Sequence, residues 1–334
     1  MLLTLYVAWP AEDRAGHVLR RALDRALAAL PGGSAGRRLV SVLIDAAAAP
    51  PPGAVAELLA EVGSRLAMAP DLEATLSVDP RTVTAQDLAA WRGAGINRMA
   101  LRAAALDRAS EALLAAASAL FPSCAVDLTF GRPRQTLASW QAELRRARRA
   151  GAHHISIEEH VPVADEGSAH VASLYQGACV ALGAGMPPYE IGHFAELGHE
   201  SRHMLHGATG GDYLGIGPGA VGRIVDGRIC HALTQVAPVK AWLRAVESGT
   251  ETEREVLSRD QRQVELMLTG LRLRAGIERA WFEPLVGRRL EIALDRERLA
   301  ALVEDGFLVL DRQGLRLSER GWPLCDAVLA RLLD

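Results

Sequence analysis

The amino-acid sequence predicts an α/β protein: a parallel sheet wound by βα units, followed by a smaller, mostly helical part. Six short apolar runs recur in the first half, separated by amphipathic stretches of about 10 to 15 residues. With 334 residues the chain can bury a large core, as one big domain or as a large and a small one. No apolar run reaches ~18 residues, so an ordinary membrane span is not expected. The 37 basic and 40 acidic residues are well mixed, and the formal charge of −3 gives no electrostatic case for nucleic acid or an anionic membrane.

Residues 2–7 form the first apolar run, Pro10 stops it, and an Ala/Leu/Arg amphipathic stretch over 16–30 follows. Strand-like runs at 39–44, 73–78, 98–101, 125–130 and 154–157 alternate with helix-like stretches at 54–66, 84–93, 107–120 and 136–150. In such sheets active sites collect at the C-terminal ends of the strands, here 8–13, 45–50, 77–80, 102–107, 130–134 and 158–160. A further helix is expected over 169–182. From about residue 250 the chain turns helical and charged. It ends in a helix, a two-stranded turn around 311–314 and a last helix, a winged-helix-like shape. Acidic and basic residues alternate there, so no basic face points to DNA. Trp91, Trp140, Trp242, Trp281 and Trp322 fall on amphipathic helices and read as packing residues.

Cys124, Cys179, Cys230 and Cys325 lie far apart with no CxxC. That fits a reducing, cytoplasmic setting and argues against a cysteine-held metal cluster. The opening MLLTLYVAWP is too short for a signal peptide and lacks its basic start.

The stretch 189–223 gathers four of the 10 histidines: His193, His199, His203 and His206. A helix over 198–206 would put His199, His203 and His206 at i, i+4 and i+7 on one face. Imidazoles so aligned can bind a metal or stand beside a haem iron. The following GGDYLGIGPGAVG, with six Gly and one Pro, reads as a loop whose bare backbone approaches something flat or bulky. On residue types alone, a polar, His-bearing surface loop is the default reading. His153 and His154 read as core or edge residues, and His160 with Glu158 and Glu159 is a strand-end cluster facing the mouth of the sheet.

Several segments together resemble the oxygen-independent coproporphyrinogen III oxidase-like radical SAM family, and more closely its haem chaperone branch. They are LYVAWP (5–10), TVTAQDLAAWRGAGINRMAL (82–101), DLTFGRPRQTLASW (127–140), HISIEEH (154–160), YEIGHFAELGHESRH (189–203), GGDYLGIGPGA (210–220) and LTGLRLRAGI (268–277), in family order and spacing. The resemblance implies an incomplete (β/α)6 radical-SAM-type barrel followed by a smaller, mostly helical, winged-helix-like C-terminal domain. The expected division is a degenerate barrel over 1–165, a His/Gly-rich extension packed on it over 166–249, and the C-terminal domain over 250–334.

Members that do radical chemistry hold a [4Fe–4S] cluster on Cys-x3-Cys-x2-Cys, leaving one iron free for S-adenosylmethionine. Laid on this chain, the motif falls on Glu12, Gly16 and Leu19. The family's GGGTP turn reads Asp45, Ala46, Ala47, Ala48, Ala49, Pro50, and its GVQSF strand end reads Arg102, Ala103, Ala104, Ala105, Leu106. A usual Glu is Ser77, while Asp127 survives. The short front end, five residues before Tyr6, points to the chaperone branch. That branch's haem-linked His-Asn-x-x-Tyr-Trp reads His203, Met204, Leu205, His206, Gly207, Ala208, and its GAH turn reads Gly219, Ala220, Val221. Losing the two aromatics removes surface that would stack on a porphyrin.

The expectation is a non-catalytic haem-binding, chaperone-like protein. His203 would ligate iron, with His199 or His206 auxiliary, without a [4Fe–4S] cluster or S-adenosylmethionine. Radical SAM catalysis and coproporphyrinogen dehydrogenase activity are not expected. The partners implied are haem and haem-accepting proteins, and a homodimer stays open. Two alternatives remain: a cofactor-free pseudoenzyme scaffold for a protein partner, and a zinc protein using His199, His203 and His206.

Overall fold

The computed structural model describes residues 1–12, 15–160, 168–183 and 185–333. The first strand end was expected over 8–13, and its Asp13 lies outside the described residues. The first half alternates strand and helix: β1 (Leu2–Trp9), α1 (Ala15–Ala28), β2 (Arg38–Ala46), α2 (Pro52–Arg65), β3 (Ala67–Val78) and α3 (Ala85–Gly93). It continues through β4 (Arg98–Arg102), α4 (Arg108–Ser118), β5 (Ser123–Phe130), α5 (Leu137–Arg149) and β6 (His154–Glu159). β1 to β6 pair in sequence order and in parallel. The parallel sheet wound by βα units, expected from the apolar runs, is borne out, in keeping with the barrel that the family resemblance implies.

The next helix is α6 (Ser168–Leu182), followed by β7 (Pro188–Glu190), β8 (His193–Ala195), α7 (Arg202–Ala208), β9 (Asp212–Ile216), β10 (Val221–Asp226) and β11 (Ile229–Gln235). α8 (Val239–Ser248) and β12 (Thr252–Leu257) complete a twelve-stranded sheet. Two expectations are corrected here. The glycine-rich run is not a loop: it supplies β9, parallel to β1, and the start of β10. Its glycines meet backbone, since a Cβ on Gly217 (φ +103°) would lie 2.0 Å from the Ala8 carbonyl oxygen and one on Gly215 2.2 Å from that of Val221. The close approach expected for a flat ligand is an approach of strand to strand. The chain after residue 250 also begins as a strand, β12, before α9 (Arg259–Gly270).

The end of the chain adds β13 (Ile277–Glu278), α10 (Arg279–Val286), α11 (Leu290–Ala293), α12 (Arg296–Glu304), β14 (Leu308–Leu310), β15 (Gly314–Leu317) and α13 (Cys325–Leu333). β13, β15 and β14 make a small antiparallel sheet, the winged-helix-like shape read from the sequence. Apolar packing falls into two clusters, one from Leu3 to Val246 and one from Leu266 to Leu332. Trp91, Trp140 and Trp242 are fully buried in the first.

Strand register sorts the barrel's two faces. Leu3, Leu5 and Val7 of β1 are buried in the first apolar cluster, while Thr4, Tyr6 and Ala8 alternate with them and point the other way. Following the pairing from Thr4 leads through Ser41, and on to Glu73. From Ala8 it leads through Asp45 to Ser77 on β3, and Ala100 pairs with Ser77 on β4. Two residues on, Arg102 pairs with Asp127 and Asp127 with Ser156, which faces His193. The lumen is therefore lined by polar side chains in layers.

Candidate functional site

The N-terminal end of the lumen is closed by the segment that carries the histidines. β8 ends at Ala195 beside His154, the first residue of β6, and β9 starts at Asp212 beside Leu3. The intervening residues must cross the barrel under its strand starts. Gly198 (φ +86°) turns the chain, and Ser201 caps α7 by accepting from the Met204 N–H at 3.3 Å. Buried Glu73 reaches the same helix end from inside the barrel, accepting from the Arg202 N–H at 3.1 Å and the His203 N–H at 3.4 Å. Arg98 stands 3.6 Å from Glu73 and donates to the His199 carbonyl at 2.8 Å. Tyr189, held by His154 Nε2 at 2.8 Å, accepts from the Ser201 N–H at 3.1 Å.

The three site histidines do not converge. The helix begins at Arg202, so His199 lies outside it and the expected single face is lost. His199 stacks on His153, ring centroids 4.5 Å apart, with Nδ1 3.1 Å from Ser123 Oγ. His206 turns to the Asp212 carbonyl, 3.0 Å from Nε2, and pins the start of β9. His203 alone has no ring hydrogen bond among the described residues: its Nδ1 is buried and unpartnered, and its ring lies 6.1 Å from that of Tyr6. Burial drives its pKa down to about 4, with His206 adding to the effect. Burial also lowers His206, against the pull of the Asp212 carbonyl, and lowers His199, with His153 second. His203 borders a cleft of about 180 Å³ between α7 and α9, lined also by Met204, Tyr213, Arg262 and Glu265. Ligand pockets of drug-sized molecules run to ~300–1,000 Å³, so this cleft does not enclose a tetrapyrrole.

The C-terminal end of the lumen carries the other expected sub-sites. Tyr6 donates to Asp45 Oδ2 at 2.9 Å, Asp45 is ion-paired to Arg102, and Arg102 donates to the Ala46 carbonyl at 2.7 Å. Asp127 has its pKa raised by burial, offset in part by Ser156, and His193 Nδ1 lies 3.1 Å from Ser156 Oγ. Glu158 and Glu159 are exposed, and the His160 N–H bonds the Phe130 carbonyl at 2.7 Å.

The three cluster-motif positions do not fit a thiolate-held cluster. Glu12 is exposed and Leu19 is fully buried in the apolar core. A Cβ on Gly16 would sit 3.1 Å from that of Ala54 on α2. The four cysteines, on β5, α6, β11 and α13, are free thiols, and among the described residues no group of three potential metal ligands contains one. Among the described residues the one group of three potential ligands is His153, Glu196 and His199, which sequence reasoning missed. Nothing in the sequence signals it, because 43 residues separate His153 from Glu196 and only strand register joins them.

Residues 257–324 match the HemN C-terminal domain family. Over 99% of this chain and 87% of the relative, the sequence is 31% identical to radical S-adenosyl methionine domain-containing protein 1, mitochondrial, of Bos taurus. It is 28% identical to heme chaperone HemW of Escherichia coli over 84% of this chain and 80% of that one. The solved structure of coproporphyrinogen III oxidase (HemN) from Escherichia coli superposes with a TM-score of 0.79 at 19% identity, covering 98% of this chain and 89% of that chain, and so shares the fold. With a relative at this identity spanning nearly the whole sequence, the chain belongs to the HemN/HemW-like radical SAM family.

Proposed function

We propose that this chain binds and carries haem and does no radical chemistry, having no [4Fe–4S] cluster and no S-adenosylmethionine site. The observation that carries this reading is the Asp45–Arg102 ion pair. Each residue opens one of the two stretches that replace family cofactor-binding turns, and the two neutralise each other across the lumen rim. The pair sits at the rim between those two stretches, each side chain about a third exposed. Relatives named as heme chaperones supply the haem half of the reading. His203 supports it as a ring without a hydrogen bond among the described residues that is neutral at pH 7. Four free thiols suit a reducing compartment. Among the described residues no helix is long and apolar enough to cross a membrane.

The small cleft favours a second reading, in which the barrel is a cofactor-free scaffold for a protein partner. Haemin titration separates the two. The haem reading expects a saturable, shifted Soret band that His203→Ala abolishes while His206→Ala retains it. A band equally strong in His203→Ala, or no saturable band at all, leaves the scaffold.

A further inference from the structure

We propose that His153, Glu196 and His199 form a binding site for one divalent transition-metal ion of the zinc class, clamping the crossing segment to the strand starts of the barrel. One nitrogen from each ring and one carboxylate oxygen of Glu196 lie within 4.8 Å of one another. Donors around a tetrahedral zinc sit about 3.4 Å apart, as bond lengths of ~2.0–2.1 Å require, so the donors must draw together. The two rings, stacked at 16° with centroids 4.5 Å apart, must turn until both lone pairs meet at the ion. All three residues are partly exposed, which gives an ion access and leaves room for water as a fourth ligand. The donor set, two imidazoles and a carboxylate, is one that zinc takes readily.

The surroundings prepare the site. Ser123 Oγ lies 3.1 Å from His199 Nδ1, and Nε2 makes no hydrogen bond among the described residues. The Glu196 N–H donates to the His153 carbonyl at 2.9 Å, fixing the two backbones against each other. The Cys124 N–H reaches His153 Nδ1 at 3.2 Å, a long contact that ion binding must rearrange. The ions that fit are Zn²⁺ and its spectroscopic stand-in Co²⁺. The site does not rest on the haem reading, since neither His203 nor the lumen contributes to it. It also replaces the zinc trio of His199, His203 and His206 expected from sequence, whose members point apart.

Titrating the EDTA-treated full chain with Co²⁺, followed by Zn²⁺ competition, tests it. The expected result is one equivalent per chain with a d–d spectrum of low coordination number, displaced by Zn²⁺. Affinity should fall at least ~10-fold in His199→Ala, His153→Ala and Glu196→Gln. It should be unchanged in His203→Ala and in His17→Ala, whose residue is exposed on α1. Glu196→Gln keeps the side-chain shape, so loss of binding with an unchanged circular dichroism spectrum is loss of a ligand. Absence of a stoichiometric spectrum in the wild type, or wild-type affinity in both His153→Ala and His199→Ala, overturns the site.

Discussion

At His203 burial outweighs hydration: the ring is held neutral with its folded pKa at about 4, against an ordinary value of 6.5. Below pH ~6.5 the unfolded chain binds a proton that the folded ring refuses, so stability rises with pH across this window. The contribution is complete above about 6.5 and is lost as pH falls toward 4. His154, lowered well below its usual value by burial with Arg98 second, acts in the same direction. The expected outcome is a urea midpoint that drops between pH 7 and 4.5, and drops less in His203→Gln. An identical drop in that variant would show the ring to be solvated. His206 looks alike in sequence but is spent on the Asp212 carbonyl, and no residue pattern distinguishes the two.

At the scale of the element, α7 is a seven-residue helix, too short to stand by propensity. Its N-terminus is held by Ser201 from its own chain and by Glu73 from the barrel floor. Glu73→Ala removes the acceptor for two N–H groups and leaves buried Arg98 without its carboxylate. The expected loss is about 3–5 kcal/mol in chemical denaturation, whereas Ser201→Ala, a lost cap, costs ~1 kcal/mol. Equal small losses would mean that the floor contact does not hold the helix.

The element scale also shows what the sequence made legible. β1 to β6 were readable because apolar runs bounded by turn residues and spaced by helices admit few folds. β9 was not, because glycines that look like loop residues are there to let strands and a neighbouring carbonyl approach. β12, with the pattern Thr-Glu-Arg-Glu-Val-Leu, lies at a sheet edge where charge is tolerated, so its strand signal is weak. The start of α7 was marked by Ser201, a capping residue three positions before Met204, and by Gly198. Those signals place His199 outside the helix, so the i, i+4, i+7 spacing is not carried by one helix.

Across the whole molecule, the two apolar clusters are joined through polar contacts. Arg272 bonds Glu190 at 2.7 Å, Glu190 bridges to Leu273, and Tyr175 packs against both clusters. The histidine segment seals the N-terminal end of the barrel, and active sites of such folds collect at the opposite end. That opposite end holds Tyr6, Asp45, Arg102 and Asp127, with no thiol among them. The fold of the family is kept, and at this end Asp45 and Arg102 pair with each other.

The most direct measurement is anaerobic reconstitution of the full chain with iron, sulfide and reductant, followed by iron and sulfide analysis and incubation with S-adenosylmethionine. The expected result is iron and sulfide far below one cluster per chain, no iron–sulfur absorption, and no 5′-deoxyadenosine. A stoichiometric four-iron cluster that cleaves S-adenosylmethionine would contradict the account.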